Sequence, residues 1–152
     1  MICIIPARKN SKGLKNKNLI NINGKPLIEY TINFALSVNF FKNVYISTDD
    51  ERIISRYKNF HKKLKIIKRD KKLATDKASI IDVYRDFIKT LMLNGELIDQ
   101  KSFCSMLATS PLRNKSVLKK AYNKFNTAKP YSLISVNLSK PEEWIWRKNK
   151  KG

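Results

Sequence analysis

Apolar positions fall in short runs divided by polar connections, and the spacing within each run names its element. Met1–Ile5 is apolar and β-branched without alternation, as in a strand covered on both faces. Pro6 closes that run. Pro26 stands where a helix can begin, and Leu27, Ile28, Tyr30, Thr31, Phe34, Ala35 and Val38 then recur at helical spacing. Asn43–Ser47 reads as a second strand. Thr48 or Asp49 is the expected cap of a helix over Glu51–Tyr57, whose early acids suit its dipole. Leu64–Ile67 is a third strand. Ser79–Leu93 is a helix lined by Ile80, Ile81, Tyr84, Phe87, Ile88, Leu91 and Met92; Asn94-Gly95 stops it, and Asp76 is its expected cap. Phe103–Leu107 is a fourth strand. Lys115–Phe125 is a helix with Val117, Leu118, Ala121, Tyr122 and Phe125 inward, and Tyr131–Val136 is a fifth strand.

Strands that alternate with helices in this way predict an α/β fold, a doubly wound and mostly parallel sheet covered on both faces. In such sheets ligands sit beyond the carboxyl ends of the strands. The polar loops at 7–18, 48–50, 68–79 and 108–114 all follow strands, so they are expected to gather on one edge. The length of 152 residues suits one domain spanning 1–152.

Charge narrows the partners. The chain has 32 Lys and Arg against 12 Asp and Glu, a formal net charge of +20. Such a balance favours polyanions: nucleic acid, an acidic surface or a phosphorylated small molecule. Lys is spread over the whole chain rather than massed in one tail, so a general Lys-rich bias explains the charge equally well. No apolar run approaches the length of a membrane helix, and Met1–Ile5 is too short for a signal-peptide core, so a cytoplasmic protein is expected. Cys3 and Cys104 lie in apolar runs without CxxC spacing, and His61 stands alone. Reduced thiols and no metal site follow.

The loop after the first strand carries the candidate chemistry. It lacks both GxGxxG and GxxxxGK[ST]. It does hold Arg8, Ser11, Lys12, Gly13, Lys17 and Asn18 between strand and helix. Ser11 and Gly13 allow a tight backbone approach, and three cations suit a triphosphate. A solvated basic loop has the same spacing.

The stretch IIPARKNSKGLKNKN, followed by GKPLIEYTI, closely resembles the signature of the acylneuraminate cytidylyltransferases and their legionaminic and pseudaminic relatives. The likeness continues in order through VYISTDDERI at 44–53, LATDKAS at 73–79, TSPLR at 109–113 and SLISV at 132–136. It implies a nucleotide-diphospho-sugar transferase fold of Rossmann-like type. It also implies transfer of CMP from CTP to a nine-carbon 2-keto acid sugar, with pyrophosphate released and Mg²⁺ assisting. By this resemblance Arg8, Lys12 and Lys17 hold the triphosphate and act in catalysis, Ser11 and Gly13 shape the loop, and Asn18 helps hold the nucleotide. Arg69 is a nucleotide-side contact, although by itself it reads as one more exposed cation. Ala78 and Ser79 fall where the family's backbone meets cytosine. Thr109, Ser110 and Arg113 line the substrate side, or else form an ordinary turn. Asp49 and Asp50 read as caps rather than metal ligands.

Three departures qualify the match. Leu107 stands where a substrate-contacting Gln is common, and Ile80 where a Ser is usual. Family enzymes also continue well past Gly152, through a sugar-side arginine, metal-binding aspartates and a dimerisation segment, so the Mg²⁺ ligands and the homodimer contact are not expected within this chain. Pro141, Trp144 and Trp146 would begin that region or simply pack. Two other functions fit the sequence: a basic nucleic-acid-binding protein, though without a recognised module, and an inactive remnant of a cytidylyltransferase.

Overall fold

The structure is a computed structural model, and it describes residues 1–9, 13–96 and 102–136. Its centre is β1 (Ile2–Pro6), a run so apolar that its first four residues are buried. It pairs in parallel with β4 (Val44–Thr48) on one side and β6 (Phe103–Ser105) on the other, and β5 (Leu64–Lys68) extends the sheet beyond β4. The order is β5-β4-β1-β6. Cys3 is in register with both Val44 and Cys104, and Val44 with Leu64.

Both faces are covered, as unbroken apolar strands require. On one face Ile2, Ile4, Tyr45 and Ile67 pack with Phe87 and Leu91 of α3 (Ile80–Leu93), flanked by Tyr84, Ile88 and Phe103. Strand alternation turns Cys3, Ile5, Val44 and Ile46 to the other face. There α1 (Leu27–Leu36) contacts β1 and β4, and α2 (Glu51–Tyr57) contacts β4 and β5. These helices contribute the buried Ile28, Ile32, Ala35, Ile53 and Tyr57. The expected α/β architecture is therefore present, with helices on both sides of a parallel sheet.

A small antiparallel pair, β2 (Asn21–Ile22) and β3 (Lys25–Pro26), precedes α1 and was not anticipated. Its signal was in the sequence: Asn23 (φ 47°) and Gly24 (φ 82°) both take the left-handed conformation that a two-residue hairpin turn needs.

Several expectations fail. Tyr131–Val136 forms no strand; it is irregular and exposed, with no ladder partner among the described residues. An apolar run becomes a strand only where a neighbour takes its backbone hydrogen bonds. β6 ends at Ser105, short of Leu107, as the chain turns away after the Met106 N–H bonds the Ile4 carbonyl (2.9 Å). The buried line of α3 is Val83, Phe87 and Leu91, whereas Ile80, Ile81 and Met92 are exposed. Ser79, not Asp76, caps α3, its hydroxyl accepting from the Ile81 N–H at 3.1 Å. Of the residues read as caps before α2, Asp50 takes the role, accepting from the Arg52 N–H at 3.1 Å, and Thr48 and Asp49 do not. In both cases the residue directly before the first helical turn has the reach, and residues further back do not.

Residues 1–113 make one compact unit, and the chain from Asn114 belongs to a second. In the latter, α4 (Lys115–Ala128) is capped by Asn114, which accepts from the Ser116 N–H at 2.8 Å. Leu118, Ala121, Tyr122 and Phe125 are half-buried, while Val117, expected with them, is exposed. Pro141, Trp144 and Trp146 lie outside the described residues.

Candidate functional site

The loop after β1 is held at consecutive residues. The Ala7 N–H donates to the Ser47 carbonyl (2.9 Å), carrying the β1–β4 ladder past the strand end. The Arg8 carbonyl accepts from the Asn18 side-chain amide at 3.0 Å. The Lys9 N–H donates to the Asp49 carboxylate at 2.7 Å. Asn18 is 9% exposed, so its amide is spent on shaping the loop. It lies in a 3₁₀ turn, Lys17–Leu19, entered through Asn16 at φ 55°. The Asn16 side chain in turn accepts from Arg52 at 2.8 Å.

Arg69 follows β5 and is 5% exposed, so it is not one more surface cation. Its Nε and Nη2 donate to the Ser47 hydroxyl (3.1 Å) and carbonyl (2.8 Å). Burial, above all, presses its guanidinium below the ordinary arginine value; Asp49 and Asp86 oppose that shift and Arg8 adds to it. A guanidinium remains charged under such pressure.

These groups converge on a cavity of about 240 Å³. Arg8, Lys17, Asn18 and Arg69 line one part of it. Pro6, Ile80, Leu107, Ala108 and Thr109 line the rest. Among the described residues three cations and no carboxylate line this space, which suits a polyanion. Ile80 and Leu107 are 42% and 49% exposed, large aliphatic side chains left open at the cavity rather than packed. A larger cavity, about 400 Å³, adjoins it through Arg8 and is lined also by Lys9, Asp49, Lys71, Ala74, Thr75 and Asp76. The Arg8 guanidinium meets the Asp76 carboxylate there at 2.5 Å.

The expected site residues divide. Arg8, Lys17, Asn18, Arg69 and Thr109 come together on the smaller cavity. Ser11 and Lys12 lie outside the described residues. Gly13 sits in open space: a side chain there would meet nothing within 4 Å, and its backbone does not demand glycine. Ala78 and Ser79 are not among the lining residues; Ser79 serves α3 and the Ala78 N–H bonds the Thr75 carbonyl (3.3 Å). Ser110 is exposed and off the lining. Arg113 turns inward, donating to the Thr31 hydroxyl (2.9 Å) and the Leu107 carbonyl (2.5 Å), so it supports the loop from behind. Ser47, Asp49 and Asp76 were not read as site-building residues. Their roles depend on partners distant in sequence, and no local spacing signals them.

The family model described as cytidylyltransferase matches residues 2–150. This chain belongs to the cytidylyltransferase family. Among curated relatives it is 43% identical over 124 residues to a pseudaminic acid cytidylyltransferase of Campylobacter jejuni, covering 82% of this chain and 52% of that one. It is 36% identical over 147 residues to an N-acylneuraminate cytidylyltransferase of Escherichia coli, covering 95% of this chain and 33% of the other. This cytidylyltransferase chain thus spans about half the length of the first relative and a third of the second. Among solved structures, a CMP:2-keto-3-deoxy-manno-octonic acid synthetase complexed with CTP has a TM-score of 0.63 at 22% identity, covering 82% of this chain and 46% of that one. A 4-diphosphocytidyl-2C-methyl-D-erythritol synthase has a TM-score of 0.65 at 12% identity, covering 84% and 55%. At these identities the structural likeness speaks for the nucleotidyltransferase fold. No helix among the described residues is long and apolar enough to cross a membrane.

Proposed function

We propose that this chain binds CTP in the smaller cavity and serves the transfer of CMP to a nonulosonic acid of the sialic-acid type. The observation that carries the reading is the convergence of Arg8, Lys17 and Arg69 on one cavity beyond the carboxyl ends of the strands, in a member of the cytidylyltransferase family. In the reaction the anomeric hydroxyl of the sugar acid attacks the α-phosphorus of CTP and releases its proton to solvent, while the bond from the α-phosphorus to the oxygen bridging it to the β-phosphorus breaks and pyrophosphate leaves. Negative charge builds on the departing pyrophosphate, where Arg8 and Lys17 stabilise it. Arg69, committed to Ser47, adds a fixed positive field rather than a mobile contact. The described lining holds no carboxylate or imidazole to act as a base.

Magnesium is the metal expected with a nucleoside triphosphate. Among the described residues no three His, Cys, Asp or Glu side chains come together, and an ion carried on the triphosphate would need no more than one or two carboxylates from the protein. Cys3 and Cys104 are free thiols.

The test is equilibrium binding at fixed salt. CTP is expected to bind more tightly than ATP, and Arg8→Ala to weaken CTP about tenfold, the loss of one charge-assisted contact. Pyrophosphate release with CTP, magnesium and a panel of nonulosonic acids reports the transfer itself. Equal affinity for CTP and ATP, with both collapsing steeply as salt rises, would show a general polyanion binder instead.

A further inference from the structure

Two walls of the smaller cavity, besides the one formed by Leu107, Ala108 and Thr109, come from different parts of the chain. One is the loop after β1, carrying Arg8; the other is the start of α3, carrying Ile80. Asp76 lies four residues before Ile80 and pairs with Arg8 at 2.5 Å, and Arg8 faces both cavities. The stretch between Asp76 and Ile80 is short and internally bonded, through the Ala78 N–H to the Thr75 carbonyl and the Ser79 cap. It leads into a helix anchored in the core by Val83, Phe87 and Leu91.

We propose that Asp76 is a positioning residue that joins these two walls, holding the Arg8 guanidinium on one side while keeping the segment before α3 against it on the other. The inference rests on the nucleotide reading above. A ligand spanning both walls, with phosphates on the cations and its nucleoside against Ile80, depends on that tie. A ligand made of phosphates alone depends on Arg8 and its neighbours only.

Simple electrostatics gives the opposite sign, which makes the idea testable. Removing a carboxylate beside Arg8, Lys9 and Lys71 raises the local positive charge and by itself favours every anion. The experiment measures CTP and inorganic tripolyphosphate binding by calorimetry at fixed salt, for the wild-type chain, Asp76→Asn and Asp76→Glu. Asp76→Asn is expected to weaken CTP about 3- to 5-fold, the scale of a partly exposed ion pair. Tripolyphosphate should change less, and Asp76→Glu should recover most of the CTP affinity. Thermal midpoints check that each variant is folded. Asp76→Asn binding CTP as well as wild type or better overturns the proposal, and so does an equal loss for both ligands. If the wild-type chain binds neither ligand, the nucleotide reading falls and takes this inference with it; binding of CTP with the wrong variant pattern sinks the inference alone.

Discussion

Arg69 donates from Nη2 to the carbonyl oxygen of Ser47 across 2.8 Å while almost wholly buried. The same guanidinium reaches the Ser47 hydroxyl, and that carbonyl also accepts from Ala7 at the mouth of the first loop. One buried cation thereby links the end of β5 to the end of β4 and, through it, to the loop that carries Arg8.

Arg69→Met should therefore act on stability as well as on binding. It removes two hydrogen bonds from a charged donor and leaves the buried Ser47 hydroxyl without that partner. A loss of about 2 kcal/mol is expected. Urea unfolding monitored by circular dichroism measures it, and an unchanged midpoint would mean that the guanidinium does not hold the strand ends together.

Asn18→Leu tests whether the loop is shaped from below. The variant keeps the side chain's bulk and deletes the amide that donates to the Arg8 carbonyl. Stability should fall by about 1 kcal/mol. Tripolyphosphate affinity should fall with it, because the backbone bearing Arg8 is no longer fixed. Unaltered affinity in a folded variant would show that the loop holds its shape without Asn18.

Leu107 separates binding from stability in the other direction. Its side chain is about half exposed, so Leu107→Ala should move the unfolding free energy by less than about 0.5 kcal/mol. If the side chain is covered by bound nucleotide or sugar, ligand affinity drops roughly 3-fold, the worth of part of a Leu side chain removed from water. A variant that binds every ligand like wild type would remove Leu107 from the contact surface.

Acid sensitivity follows from Asp50. Hydrogen bonds from Arg52 hold its carboxyl below the ordinary value of 3.8, with burial pulling the other way. A folded-state value below the unfolded one means stabilisation that is present above pH 3.8 and lost as the pH falls through the lower, folded value. Asp50→Asn keeps a competent cap but carries no charge. Its stability should fall less than wild type's between about pH 5 and pH 2.5. Parallel curves for the two proteins would assign the acid loss to other carboxylates, such as Glu96, which Lys65 and Tyr45 also hold low.

Much of the fold was legible because its signals are local. β1 showed as an unbroken apolar run, α2 as a seven-residue stretch behind acidic caps, and α3 as a helical repeat ended at Asn94-Gly95. The hairpin at Asn23-Gly24 was equally legible and was missed only because both its strands are two residues long. Tyr131–Val136 misled for the reverse reason: its composition suits a strand, but composition does not supply a neighbouring backbone.

Within the site, the loop that carries Arg8 and Lys17 was readable as a strand-to-helix connection dense in cations. Arg69 and Asp76 were not readable in the same way. Whether Arg69 is a surface charge or a buried tie depends on Ser47, which lies 22 residues away. Asp76 has the residue type of a helix cap and the position of an ion-pair partner, and the two uses differ only by where Arg8 arrives.

The sequence by itself determined the alternation of strands and helices, the edge on which the polar loops collect, and the supply of cations to that edge. These follow from hydrophobic spacing over a dozen residues at a time. The tertiary structure alone decided which cations share a cavity, which acid serves which helix or arginine, and which apolar run goes without a strand partner. Each of those outcomes joins groups far apart in the chain, where burial and hydrogen-bond geometry select one partner among many that local spacing treats alike.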